Sequence, residues 1–383
     1  MTYHSRFTGL RLLALAAALS GCGARSALEE TEQSAATPVI VDISGAKSAT
    51  CGLRSDGTVV CWGTPFDKPA LVPLPRAVEI SVGAQLACAR TAEGHVACLG
   101  LQLVEPQRQF GPEGPGKAAV LPGIADAKQI SVGSTHACVL RAGGVLSCWG
   151  DNTSGQLGNG TFESTETPVP VSLGPVLAVS AGDSATCALT KDGVHCWGRA
   201  DPGQLGDGSA PHELCAAASV MCSPLPVLVQ GLSNPQRISV ARGGACALNG
   251  DSRVRCWGLP SAVESYGMSP IAIEIPGVLD ATAVYAGDGR GFAIRPGGGL
   301  RSWGDNQSGA LGDGVLKPHK VPVDVVSLDG VIRVTGGDYH ACALRENGDV
   351  LCWGSDNCGG QLGLGDTCLL TGIRPTPGLV PLP

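Results

Sequence analysis

Ala137-Cys138-Val139-Leu140-Arg141-Ala142-Gly143-Gly144-Val145-Leu146-Ser147-Cys148-Trp149-Gly150 is a phrase that this chain repeats. Its two cysteines stand ten residues apart, and a Trp-Gly follows the second. The phrase returns around Cys51/Cys61, Cys88/Cys98, Cys187/Cys196, Cys246/Cys256 and Cys342/Cys352. A seventh copy, from Gly291-Phe292-Ala293 to Ser302-Trp303-Gly304, has lost both cysteines together; Phe292 and Ser302 stand in their places. Self-similarity at such a spacing decides the architecture before any other feature.

One unit reads from Gln129 to Leu173. Ile130-Ser131-Val132 alternates as a strand does, and Gly133 bends the chain. Residues 137–140 and 145–149 are two short strands around Ala142-Gly143-Gly144, a hairpin turn. Residues 151–160 form a turn-rich loop. Thr167-Pro168-Val169-Pro170-Val171 is a last extended piece whose prolines suit a sheet edge. Trp62, Trp149, Trp197, Trp257, Trp303 and Trp353 mark six such units, and Leu99 marks the seventh. The expectation is an all-β chain, a seven-bladed β-propeller of four-stranded blades. Residues 38–43 match the opening strand of a unit and residues 374–380 the closing strand of one. Pairing of these N- and C-terminal strands is therefore expected to close the ring, which removes both exposed edges. An open solenoid is the alternative.

The cysteines carry the strongest chemical signal. Directly opposed residues of an antiparallel hairpin lie about 4.5–5.5 Å apart at Cα, within disulfide range. The expected bridges are Cys51–Cys61, Cys88–Cys98, Cys138–Cys148, Cys187–Cys196, Cys246–Cys256 and Cys342–Cys352. Cys187 and Cys196 are nine apart, but their turn is one residue shorter, which preserves opposition. Each bridge adds about 2–3 kcal/mol in the loop-entropy picture. Two further pairs, Cys215/Cys222 and Cys358/Cys368, staple loops on one rim or stiffen a binding surface there. Buried thiols acting as small hydrophobes are the alternative. Metal ligation is disfavoured: no Cys-x-x-Cys occurs and the histidines do not accompany the pairs.

Gly155-Gln156-Leu157-Gly158, Gly203-Gln204-Leu205-Gly206, Gly309-Ala310-Leu311-Gly312 and Gly360-Gln361-Leu362-Gly363 follow Trp-Gly at short distance. Trp-Gly-Asp-Asn-x-x-Gly-x-Leu-Gly resembles the regulator-of-chromosome-condensation repeat, whose family fold is a seven-bladed propeller. The resemblance covers residues 38–383 and is clearest in units three, four, six and seven. Units one, two and five lack the Gly-Gln-Leu-Gly phrase. The founding member of the family is a nuclear exchange factor for a small GTPase, and no exchange residue can be matched here. Secreted bacterial relatives include a propeller that inhibits β-lactamases by binding them with one face. The resemblance therefore implies binding, and names no ligand.

The N-terminus reads as an export signal. Arg6 and Arg11 precede an apolar run, residues 12–19, too short to span a bilayer. Leu19-Ser20-Gly21-Cys22 resembles the bacterial lipoprotein signal, in which the cysteine is lipidated and becomes the mature N-terminus. Cys22 is also the one cysteine of seventeen without a repeat or loop partner. The expected organisation is a signal peptide at 1–21, a lipid-anchored tether at 22–37 and the propeller at 38–383. The expected location is the cell envelope, periplasmic or surface-exposed, with a membrane contact through the lipid. Removal of residues 1–21 takes away Arg6 and Arg11 and no acid, moving the formal charge from −7 to −9. An acidic surface repels phosphate backbones, so nucleic acid is not an expected partner.

Other residues have structural readings. The tryptophans fill space between blades. Asp151, Asp305 and Asp356 serve turn chemistry, since the ligand pattern of a calcium loop is missing. His136 and His340 occupy equivalent positions two residues before a cysteine, where the other units have Ala49, Leu86, Ala185, Gly244 and Arg290. Bonding to nearby backbone is their expected role. No nucleophile elbow, zinc-protease motif, phosphate loop or acid pair stands out. The expectation is a non-catalytic protein without metal or cofactor that binds another macromolecule, a protein, through loops that differ between blades. Those loops are 110–117, 199–223 and 259–270. An enzyme or carbohydrate-binding protein using the central pocket is the alternative; it requires carboxylates or histidines converging on the axis.

Overall fold

The unit quoted first folds as four antiparallel strands, Ala127–Val132, His136–Arg141, Leu146–Gly150 and Thr165–Pro170, side by side in that order. Gly143 and Gly144 take φ of 76° and 80° in the tight turn between the second and third, a region that costs glycine little. The computed structural model describes residues 37–101, 118–201, 203–208, 212–216, 220–258, 269–355, 359–364 and 372–383. Within them each of the seven units forms its own sheet with the same strand order. The chain is thus an all-β, seven-bladed propeller. Blade four adds a fifth, two-residue strand, Glu213–Leu214, outside Met221–Leu228. Prolines sit in the outermost strands of five blades and in Met221–Leu228 of blade four, for example Pro168, Pro322 and Pro375. There the missing N–H costs no ladder bond and discourages edge pairing.

The cysteines of each hairpin face one another: Cys138 opposes Cys148 and Cys342 opposes Cys352. Their sulfurs are bonded, as are those of the other four hairpin pairs, with Cα–Cα separations of 4.0–4.1 Å. Each pair is buried between blades. Cys138 and Cys148, for instance, pack with Leu157 against Trp197 of the next blade. The same arrangement places Cys246 and Cys256 against Trp303. In blade six Phe292 occupies the disulfide's place and meets Trp353 edge-on, with ring centroids 6.2 Å apart. Ser302 turns its hydroxyl to the Leu311 carbonyl, 2.8 Å away. One aromatic ring therefore fills the volume that two sulfurs fill elsewhere.

The expected pairing of N- and C-terminal strands does not occur. Ile40–Ala46 pairs with Ala49–Arg54 in blade one, and Ile373–Leu379 pairs with Val350–Ser355 in blade seven. Every unit contains its own four strands in sequence, so none is left to donate. Closure comes instead from face packing. Ile40, Ile43, Val60 and Trp62 of blade one bury against Leu344, Cys352, Leu362 and Val380 of blade seven. Arg54 also donates from Nη2 to the Pro383 carbonyl.

A ring of hydroxyls runs around the axis. Ser44, Ser81, Ser131, Ser180 and Ser239 each accept the main-chain N–H of the next blade's innermost strand, at 2.9–3.0 Å. Tyr285 accepts from Gly336 N at 3.0 Å, and Thr335 completes the circle by accepting from Gly45 N at 2.8 Å. Each of these residues lies opposite the first cysteine of its blade, or opposite Phe292 in blade six.

Replacing Thr335 by Val keeps the shape and removes the acceptor that joins blade seven to blade one. Urea unfolding is expected to show a loss of about 1–2 kcal/mol. Thr335→Ser, which keeps the hydroxyl, is expected to stay near the wild type.

Candidate binding face and axial mouth

Strand register decides which parts of each blade share a face. His136 opposes Gly150 at the end of the third strand, and the first strand ends beside Ala137. The turn between strands one and two and the loop after Trp-Gly therefore leave every blade on the same side. Innermost turns and the described loops after Trp-Gly share one face of the ring.

The Gly-x-Leu-Gly loops join blades as well as ornamenting them. Asn152 is buried; its Oδ1 accepts from Leu157 N at 2.9 Å, and its Nδ2 donates to the carbonyls of Thr161 and Glu163 at 2.9 and 3.1 Å. Asn306 repeats this with Leu311 N at 2.9 Å and the Val315 carbonyl at 3.0 Å. Gly158 has φ of 69°, and a Cβ there would lie 2.6 Å from Trp197 Nε1. Gly312 is in the same relation to Trp353, at 2.7 Å. The glycine seats the tryptophan of the following blade. Trp197 Nε1 donates to the Gln156 carbonyl at 2.9 Å, and Trp353 Nε1 to that of Ala310 at 2.8 Å. Asp151 accepts from Gln156 Nε2 at 3.0 Å and from Thr153 N at 3.3 Å, and Asp305 accepts from Gln307 N at 3.3 Å. These are turn contacts. Asp356 lies outside the described residues.

His136 and His340 reach the next blade's threonine, where local backbone was expected. His136 Nε2 is 2.7 Å from Thr186 Oγ1, and His340 Nε2 is 3.0 Å from Thr50 Oγ1. Thr186 gives its own proton to the Gln156 carbonyl at 2.9 Å, so His136 must donate through Nε2. Nδ1 of both histidines is buried without a partner. Desolvation lowers His136 to a pKa of about 4 despite Asp151 and Asp183, and lowers His340 to about 3, with Arg290 adding to the effect. At the equivalent position of blade six, Arg290 holds the Gly337 and Asp338 carbonyls at 3.1 and 2.6 Å.

The innermost strands of all seven blades line a cavity of about 210 Å³ on the axis. The residue four before the first cysteine, or before Phe292, lines the cavity in every blade but the second. In chain order this position holds Lys47, Ala84, Ser134, Asp183, Arg242, Asp288 and Asp338. Lys47 reaches Asp183, three blades away, at 3.7 Å, and Arg242 reaches Asp288 at 3.8 Å. Among the described residues Asp338 has no side-chain hydrogen bond or ion pair. Burial raises its pKa, helped by Asp288 and Asp183 and opposed by Lys47 and Arg242. The repeated phrase does not include this ring, but counting back four residues from each cysteine in the aligned units reveals it.

The hairpin cysteines lie apart from this mouth, buried between blades. Cys215, which follows Glu213–Leu214, is bonded to Cys222 in Met221–Leu228 of blade four, with a Cα–Cα distance of 5.2 Å. Cys22, Cys358 and Cys368 lie outside the described residues, as do loops 110–117 and most of 259–270. Among the described residues no cluster of His, Cys, Asp or Glu could hold a metal ion. Among them, too, no helix is long and apolar enough to cross a membrane.

Regulator of chromosome condensation (RCC1) repeat models match residues 127–156, 176–204 and 331–359, and a second such model matches 143–189 and 298–344. The Arabidopsis thaliana ultraviolet-B receptor UVR8 is 28% identical over 62% of this chain and 43% of its own length. The human probable E3 ubiquitin-protein ligase HERC6 is 30% identical over 70% of the chain and 26% of its own length. The chain thus spans less than half of either relative. Among solved structures, yeast RCC1 (Prp20) bound to Kap60 aligns with a TM-score of 0.67 at 19% identity, covering 78% of each chain. Human WBSCR16 aligns with a TM-score of 0.67 at 20% identity, covering 79% of this chain and 86% of its own. At these identities the structures establish likeness of fold.

Acid should expose the histidine contacts. The unfolded chain takes up these protons below about pH 6.5, whereas folded His136 resists to about 4 and His340 to about 3. The unfolded state then binds more protons, so stability falls as pH falls. The expected slope is about 1.4 kcal/mol per pH unit for each histidine below 6.5. Urea unfolding between pH 7 and 4 is expected to be flatter in a variant with His136→Gln and His340→Gln.

Proposed function

From the premise that the chain is a seven-bladed propeller of the RCC1 repeat family, we propose that it works by binding another macromolecule, a protein, through the face that carries its loops. The observation that supports this most is the division of labour among residues. The repeated cysteines, tryptophans and glycines hold blade to blade, while the residues that differ between units lie in the innermost turns and loops of one face. Loops on a rigid frame are where recognition is carried, at a modest ordering cost. Related propellers support the same reading: yeast Prp20p has been studied for binding to Gsp1p and histones. The ligase and receptor activities named for longer relatives are not transferred, because this chain matches only part of each.

Carboxylates do converge on the axis, which favours the central pocket as part of the binding face. Asp183 and Asp288 are each engaged by a cation, and the two buried histidines are tied to neighbouring threonines. No nucleophile–base pair accompanies them among the described residues. Binding without catalysis is therefore the reading preferred.

Seven disulfides fit an oxidising compartment. We place the protein in a bacterial cell envelope, held by lipid on Cys22 after removal of residues 1–21, with residues 22–37 as tether. The motif Leu19-Ser20-Gly21-Cys22 supports this. Cys358–Cys368 is proposed as a further staple on the loop face.

Two outcomes are expected. Substitutions within 199–223 or 259–270 weaken capture of the cross-linked partner at least tenfold and leave thermal unfolding unchanged. A partner retained in full, or substrate turnover that depends on the axial carboxylates, overturns the binding reading. Cys22→Ala abolishes metabolic labelling with palmitate and releases the protein from the membrane fraction. Unchanged labelling and fractionation overturn the anchor.

A further inference from the structure

We propose that this chain is the substrate of a thiol–disulfide exchange reaction that bridges each hairpin before its blade docks on the next, and that no isomerising step follows. This holds whichever partner the loop face binds.

Every disulfide among the described residues joins two cysteines that are consecutive among the cysteines of the chain. Local geometry favours these pairs. Cys61 stands 10 residues from Cys51 and 27 from Cys88. Loop-closure entropy favours the shorter loop about fourfold. Between the cysteines of each bridged hairpin the turn holds a residue of positive φ: Gly57, Gly94, Gly143, Gly193, Ser252 and Gly348. Cys352 is nearer in sequence to Cys358 than to Cys342, but the Asn347-Gly348 turn sets it opposite Cys342. The correct partners therefore meet in the hairpin itself, with no need of a neighbouring blade.

Docking closes the route to that chemistry. The hairpin cysteines are only 0–3% exposed in the ring. Each pair shares a cluster with the residue that marks the following blade. Leu99 covers Cys51 and Cys61, Trp149 covers Cys88 and Cys98, and Trp257 covers Cys187 and Cys196. At the seam of the ring, Trp62 covers Cys342 and Cys352. Exchange requires an incoming sulfur to come within bonding distance, about 2 Å, of its target. The packed interface leaves no approach for one, so bridging precedes docking.

The reaction balances as two exchanges. One hairpin thiolate attacks the oxidant, a protein or small-molecule disulfide, giving a mixed disulfide and releasing one oxidant thiolate. The second hairpin thiolate attacks the hairpin sulfur of that mixed disulfide and releases the other. Two chain thiols lose two protons and two electrons, and the oxidant disulfide takes them up as two thiols.

The test uses the full chain with Cys22→Ser, which removes the one cysteine outside the pairs. The chain is reduced in urea and diluted into glutathione disulfide. Timed samples are alkylated and mapped, and tryptophan fluorescence is followed in parallel. The six hairpin bridges are expected while the tryptophans are still exposed. Added disulfide isomerase is expected to change the final yield less than twofold. Tryptophan burial ahead of bridging, accumulation of bridges between hairpins, or a yield that isomerase raises more than twofold overturns the proposal. A second measurement on the native chain needs no refolding, and decides alone if the diluted chain aggregates. In dithiothreitol the hairpin bridges are expected to open only in step with loss of tryptophan burial. Their complete reduction in a chain that keeps its native fluorescence overturns the ordering.

Discussion

A hydroxyl at the innermost strand of one blade accepts the main-chain N–H of the next, and this contact recurs around the whole ring. Its last member, Thr335 to Gly45, joins the two blades that are most distant in sequence. Blades wedge together only when this contact, the buried pair opposite it and the neighbouring tryptophan fit at once. Blade six shows how tightly these are coupled. There Tyr285 replaces serine, Phe292 replaces one cysteine and Ser302 the other, yet Tyr285 still reaches Gly336. A larger hydroxyl carrier and a larger core residue were exchanged for a small carrier and a disulfide. The interface survived because volume and hydrogen bonding changed together.

That constraint leaves one face free to vary. Residues facing a neighbouring blade are committed to packing, and outer-strand prolines blunt the circumference. The innermost turns and the loops after Trp-Gly have no such duty in every blade. They are where lysine, arginine, serine, alanine and aspartate replace one another at a single repeat position. The ring thereby becomes electrostatically uneven while its backbone stays regular. The same economy has a cost in the two histidine contacts, whose orphaned Nδ1 atoms tie the ring to the neutral state of the imidazole.

Much of this was legible from residues 137–150. The spacing of Cys138 and Cys148, the glycines between them and the Trp-Gly behind them specify a hairpin and its register. Seven copies specify the blade count. The role of Gly158 was only half legible: a glycine-rich turn was evident, but the tryptophan that its missing Cβ accommodates belongs to the next blade. His136 and His340 stood out as equivalent, yet their partners, Thr186 and Thr50, belong to another unit.

The sequence by itself determined the secondary structure, the repeat and the pairing within each blade, because hairpin geometry is local and has a period of two. Tertiary structure alone decided how the ring closes and what meets at its axis. The matching end strands pointed to a shared blade, but each unit already held four strands, so side-chain packing and hydrogen bonds such as Thr335 to Gly45 and His340 to Thr50 close the circle. Lys47 and Asp183 are 3.7 Å apart although they come from the first and fourth blades. Rotation about a common axis brings them together, and no local pattern in the chain encodes that distance.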